Sequence, residues 1–118
     1  MSVWPEDIHY DSAHRQLHIR FDNGEAYAIA AELLRVESPS AEVQGHSPSQ
    51  KQLVSGKADV TITAIEPVGN YAIRLTFSDG HNSGIYTWPY LKELGEKCEE
   101  KLNNYYEALK AKGLSRGA

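Results

Sequence analysis

Residues 71–94 read YAIRLTFSDGHNSGIYTWPYLKEL, and the fold turns on a change of rhythm inside them. Tyr71, Ile73, Leu75 and Phe77 alternate with other residues, the period of a half-buried strand. Ser78-Asp79-Gly80 is a turn signal, because Asp bonds its own backbone and Gly accepts positive φ. Ser83–Thr87 makes a further short strand. From Trp88 the apolar spacing changes to three and four: Leu91, Leu94, Cys98, Leu102, Tyr105 and Leu109 mark an amphipathic helix. Thr87 suits its N-cap, Pro89 its first turn and Gly113 its C-terminus. A helix over 88–112 would be roughly 37 Å long at about 1.5 Å per residue. That exceeds what a small sheet covers, so its far end is expected to project, fray or meet a partner. Gly95 is its weak point, costing ~1 kcal/mol relative to Ala unless a close contact needs it.

Upstream the same strand rhythm recurs. Gln16–Phe21 alternates, Asp22-Asn23-Gly24 turns, and Glu25–Ile29 returns as a hairpin partner. Ala30–Val36 reads as a short helix with Leu33 and Leu34 inward. Asp59–Pro67 alternates again through Val60, Ile62 and Ala64. The expected fold is α+β: a small antiparallel sheet built from hairpins, one short helix after the second strand, and a long C-terminal amphipathic helix. One domain spans 1–112, and 113–118 is expected to be a disordered tail. Residues 38–57 hold Pro39, Gly45, Pro48 and Gly56 and show no period. A loop of that length in a small domain points to function or mobility.

The 118 residues are 41% hydrophobic, enough for a single core. Net charge is −4. Lys92, Lys97, Lys101, Lys110 and Lys112 alternate with Glu93, Glu96, Glu99, Glu100 and Glu107, a solvated helix face and not a nucleic-acid footprint. A lone Cys98 excludes an internal disulfide or a cysteine-only zinc site, and fits a reducing compartment. The first residues, MSVWPEDIHY, lack the regions of a secretory signal, and no apolar run reaches the ~20 residues of a membrane span. A cytoplasmic protein without membrane or nucleic-acid partners is expected.

Five histidines raise the question of metal. On a strand, His14 and His18 would share a face but lie roughly 13 Å apart at about 3.3 Å per residue. They and His9 are expected to be solvent-facing or hydrogen-bonded. His46 and His81 each follow a glycine in a loop, where two histidines can meet, with Glu42 or Asp79 beside them. Zinc takes four ligands, or three and water; a metal-binding module using His46 and His81 is thus a lesser alternative. No Gly-x-Ser-x-Gly elbow, Walker-A or GxGxxG spacing occurs, and no nucleophile or base is identifiable. The chain reads as non-enzymatic, with no cofactor called for. Arg35, Glu42, His46, Asp79 and His81 are the candidate polar centre, for loop closure and for recognition of a protein partner. Trp88 is expected to seal the sheet–helix junction. Of the adjacent Tyr105 and Tyr106, one ring must leave the buried stripe, a hint of a partner surface.

LRVESPSAEVQGH (34–46), followed by EPVGNYAIRLTFSDGHNSGIYTW (66–88), resembles the gamma-butyrobetaine hydroxylase-like N-terminal domain in its small stand-alone bacterial form, whose function is unknown. The likeness runs from about Trp4 to Leu94. In the hydroxylases this domain precedes a separate iron- and 2-oxoglutarate-dependent catalytic domain, and carries a zinc held by three cysteines and a histidine in an LRxxCPCxxC context. The resemblance places the cysteine slots on Ser38, Ser40 and Val43 and the histidine slot on His81. A zinc site lost from this chain is implied, since hydroxyls are poor zinc ligands and valine is none. The domain also occurs fused to Mrp-type ATPases. That implies, by association, an accessory factor in iron–sulfur cluster assembly working with such an ATPase.

Overall fold

A computed structural model describes residues 4–45 and 51–117. The chain runs β1 (Pro5–Asp11), β2 (Gln16–Phe21), β3 (Ala26–Ala30), α1 (Ala31–Val36), α2 (Ala41–Gln44), β4 (Ile62–Val68), β5 (Ala72–Phe77), β6 (Ile85–Thr87), α3 (Trp88–Glu96) and α4 (Cys98–Ala111). The class is α+β, as the periods imply. The strands, however, form two antiparallel three-stranded sheets, β1-β2-β3 and β4-β5-β6, where one small sheet was expected. Each is a meander, so every strand pairs with its chain neighbour.

β1 was missed because PEDIHYD begins with proline and turns Asp7 and His9 outward. Only Ile8 and Tyr10 pack against the core. In β2 the alternation holds: Leu17, Ile19 and Phe21 are buried. In β5 Ile73, Leu75 and Phe77 are buried, but Tyr71 at the hairpin tip is half-exposed. β4 breaks its alternation at a bulge between Ile62 and Ala64. An inserted residue reverses the faces, so Ala64 is exposed and Ile65 packs on the core. The inward faces of both sheets join Leu33 and Leu34 of α1, Leu91 and Leu94 of α3, and Tyr105 and Leu109 of α4 in one cluster. Each such large side chain contributes about 1.5–3 kcal/mol of burial.

The expected 88–112 helix is two helices, interrupted at Lys97 (φ −112°, ψ 20°) and not at Gly95. Thr87 caps the first, its Oγ1 accepting from the Tyr90 N–H, with Pro89 in the first turn. Gly95 serves a close approach: a Cβ there would lie 2.5 Å from Cγ of Tyr27 on β3. Trp88 packs partly buried on the core and donates its indole N–H to the Asn70 carbonyl at 3.0 Å. Within 38–57 the described residues include the one-turn α2, so that stretch is not wholly irregular. The tail expected to be disordered is docked through Ser115 and Arg116. Among the described residues no helix is long and apolar enough to cross a membrane.

Candidate functional site

The loop between α1 and α2 meets the turn between β5 and β6. Gly80 (φ +90°) makes that turn tight, and Phe77 and His81 close it by an N–H to carbonyl bond of 2.9 Å. The Asp79 side chain accepts from the His81 backbone N–H at 3.1 Å, which aims the imidazole back at the loop. Arg35, in the last turn of α1, donates its Nε to Asp79 Oδ2 at 2.8 Å, and Lys57 donates to the same oxygen at 2.6 Å. Burial alone would raise the Asp79 pKa. The bonds from Lys57, the His81 N–H and Arg35 reverse this and hold it well below the usual carboxylate range.

His81 is the centre. Its Nε2 lies 2.9 Å from Ser38 Oγ and 3.3 Å from Ser40 Oγ, and the two hydroxyls are 3.1 Å apart. Its Nδ1 lies 3.1 Å from Glu42 Oε2. A carboxylate only accepts, so Nδ1 carries the proton and Nε2 accepts from a seryl O–H. The imidazole is 6% exposed; Ser38 is fully buried and Ser40 nearly so. Burial, aided by the Arg35 charge, pushes the His81 pKa below the ordinary histidine value and outweighs Glu42 and Asp79.

The surroundings fasten the loop at several points. The Gln44 side chain donates to the Ser38 carbonyl at 3.0 Å. The phenols of Tyr86 and Tyr90 donate to the carbonyls of Leu34 and Glu37. Lys51 bonds Glu37 at 2.7 Å, and the Gln52 N–H meets the Val43 carbonyl at 2.6 Å. Gly84 lies directly over Ser38: an added Cβ would collide with its Oγ and sit 3.2 Å from Tyr86 Cε1.

Three of the four zinc slots therefore converge, but the residues do not fit zinc. A tetrahedral ion with bonds of about 2.0–2.3 Å separates neighbouring ligands by roughly 3.3–3.8 Å. Ser38 Oγ stands only 2.9 Å from His81 Nε2 and 3.1 Å from Ser40 Oγ, a hydrogen-bond spacing. Neutral hydroxyls supply no thiolate charge, and buried Val43 supplies no donor. Both His81 nitrogens are already engaged, and no cluster of three His, Cys, Asp or Glu side chains among the described residues suits a metal.

The connectivity Ser38–His81–Glu42 is also that of a nucleophile, base and orienting carboxylate. Here, among the described residues, Ser38 is fully buried and Gly84 lies against its Oγ.

Of the residues expected at the polar centre, Arg35, Glu42, Asp79 and His81 come together. His46 lies outside the described residues. Lys57, Gly84, Tyr86 and Tyr90 complete the site without having been anticipated; the aperiodic stretch around Lys57 carried no signal. The N-terminal histidines sit apart. His14 belongs to the β1–β2 turn, not to β2, and bonds Asp11 at 2.7 Å, while His18 stacks on His9 at 5.0 Å between ring centroids. Tyr106 does leave the α4 stripe, yet it is only partly exposed and its hydroxyl donates to Glu32 at 3.3 Å.

A family model described as gamma-butyrobetaine hydroxylase-like, N-terminal, matches residues 8–92. Two protein structures solved by NMR in solution are similar throughout. One is 41% identical with a TM-score of 0.85, covering 99% of this chain and 92% of its own. The other is 43% identical with a TM-score of 0.86, covering 98% and 86%. A crystal structure of a protein of unknown function of the DUF971 family, from Acidithiobacillus ferrooxidans, is 38% identical with a TM-score of 0.66, covering 77% of this chain and 91% of that one. No curated protein matches.

Proposed function

The chain belongs to the gamma-butyrobetaine hydroxylase-like N-terminal family, and from that premise we propose that it is a non-enzymatic recognition domain whose 38–45 loop and 79–83 turn present one prearranged face to a protein partner. The observation that carries this reading is the sealed hub of Ser38, Ser40 and His81. The three side chains of this hub are bonded to one another, and a satisfied buried network rigidifies the segments it joins. Above it, Glu42 is two-thirds exposed and residues 78–80, 82 and 83 face solvent. A rigid polar rim of that kind binds without the entropy cost of ordering a loop.

The family resemblance nominates a Mrp-type ATPase as the partner. Cys98 alone cannot hold an iron–sulfur cluster, so in that setting the partner would supply the cysteines. The test is affinity capture with an untagged Mrp-type ATPase from the same cell as prey. Wild type is expected to retain it, and Asn82→Lys, an exposed rim position outside the hub, is expected to lose it while melting as wild type does. Equal retention by both proteins would sink the proposed face. Hydrolysis of an ester or amide by the purified chain, abolished in Ser38→Ala, would sink the non-enzymatic reading.

A further inference from the structure

α4 does not simply run out. Gly113 (φ +69°) reverses the chain, its N–H bonding the Lys110 carbonyl at 3.1 Å, while the Leu114 N–H bonds Leu109 at 2.9 Å. This is a left-handed helix C-terminus of the Schellman kind. The reversed tail lies alongside residues 56–58. The Gly56 N–H donates to the Ser115 carbonyl at 3.0 Å and the Ala58 N–H to the Arg116 carbonyl at 2.9 Å. Arg116 then grips Glu32 of α1 with two bonds, Nη2 to Oε1 at 2.8 Å and Nε to Oε2 at 3.1 Å. Its guanidinium lies 4.5 Å over the Tyr106 ring, and the Tyr106 hydroxyl is 3.3 Å from the same carboxylate.

The two halves of this contact are unequal. Glu32 is 6% exposed and belongs to the fold, whereas the Arg116 side chain is half-exposed and the tail around it lies on the surface. Two backbone hydrogen bonds and one ion pair hold that tail, few enough for another strand to replace them one for one. Stripping the cation from a buried carboxylate is costly, so the site needs another whenever the tail leaves. Arg15 lines the same groove but is bound to Asp59 at 3.2 Å. A planar donor pair beneath the carboxylate, with one face on a phenol ring, suits arginine and not lysine.

We propose that Glu32, Tyr106 and the backbone N–H groups of Gly56 and Ala58 form a recognition site for an arginine carried on an extended peptide, filled in cis by Arg116 and exchangeable for an arginine of a partner protein. The proposal does not rest on the recognition role of the loop–turn face, which shares with this site only the 56–58 segment, through Lys57 and its bond to Asp79.

The test uses full-length Arg116→Ala, which takes the guanidinium from Glu32 and leaves the tail held by its two backbone bonds alone, and a blocked hexapeptide of the sequence of residues 113–118. Chemical shifts of the Gly56 and Ala58 amides report binding. The variant is expected to bind the peptide saturably, and wild type about ten-fold more weakly because its own tail competes. A peptide with lysine in place of arginine is expected to bind the variant about ten-fold more weakly than the arginine peptide, and Glu32→Gln combined with Arg116→Ala to show no saturation. If Arg116→Ala does not fold, Arg116→Lys serves instead, with the same preference for the arginine peptide expected. A folded variant without shifts at millimolar peptide, or one that binds both peptides equally, overturns the proposal. Concentration-dependent dimers of wild type that the peptide dissolves would assign the site to the tail of a second copy and overturn the exchange with a partner protein.

Discussion

His81 and the histidines of the first hairpin place the same side chain in opposite settings. His81 is buried, bonded through both nitrogens, and has a pKa pushed below the ordinary value. His9 and His14 are mostly exposed, each paired to a neighbouring aspartate. The first hairpin looks richer in ligands, yet its His9 and His14 are solvated. The lone histidine after Gly80 organises a buried centre drawn from segments more than forty residues apart. What separates the two is therefore not the density of polar groups but what covers them.

The strongest way to break this contrast is to remove the buried imidazole. His81→Ala removes the acceptor of a buried seryl hydroxyl and opens a cavity, so about 3 kcal/mol of stability is expected to go in urea unfolding. A loss within about 0.5 kcal/mol would place His81 with the surface histidines. Next comes Gly84→Ala, whose methyl group enters the space of Ser38 Oγ; overpacking of this kind costs about 2 kcal/mol. Amide exchange at residues 38–45 should quicken with it.

A smaller effect is expected from pH. The folded pKa of His81 lies below the unfolded value of 6.5, so the unfolded chain takes up the proton first. The stabilisation from neutral His81 is complete above about pH 6.5 and is lost as pH falls toward the folded value. Asp79, held below the 3.8 of the unfolded chain, adds a second loss as pH drops through and below that value. Melting temperature against pH should thus bend twice in wild type, and His81→Gln should abolish only the upper bend. Least of all, His14→Ala should shift stability by under about 0.5 kcal/mol at neutral pH. A larger shift would mean that the exposed cluster bears more of the fold than its solvation implies.

The α+β class was legible because two short-range signals carry it: alternation in 71–77 and the three–four spacing from Leu91 onward. The division into two sheets was not, since edge pairing is a long-range choice that local period does not encode. The bulge after Ile62 left no mark, because Thr63 resembles any outward strand residue. The break at Lys97 has neither Pro nor Gly at its own position. Arg35, Asp79 and His81 could be singled out by type and loop context, but the sequence does not reveal that α1 and the β5–β6 turn bring them together. The serines stood out only through the family pattern, and Lys57 through nothing.

Three phenols, those of Tyr86, Tyr90 and Tyr105, donate to the carbonyls of Leu34, Glu37 and Val54. Burial raises the pKa of each above that of free tyrosine, for Tyr105 to about 12. A phenolate cannot donate, so these clasps are full strength below the unfolded pKa near 10 and fail only as alkalinity climbs toward the folded values. The domain should therefore tolerate mild base. The near-ultraviolet tyrosinate signal of these three rings should rise late and together, as the fold gives way.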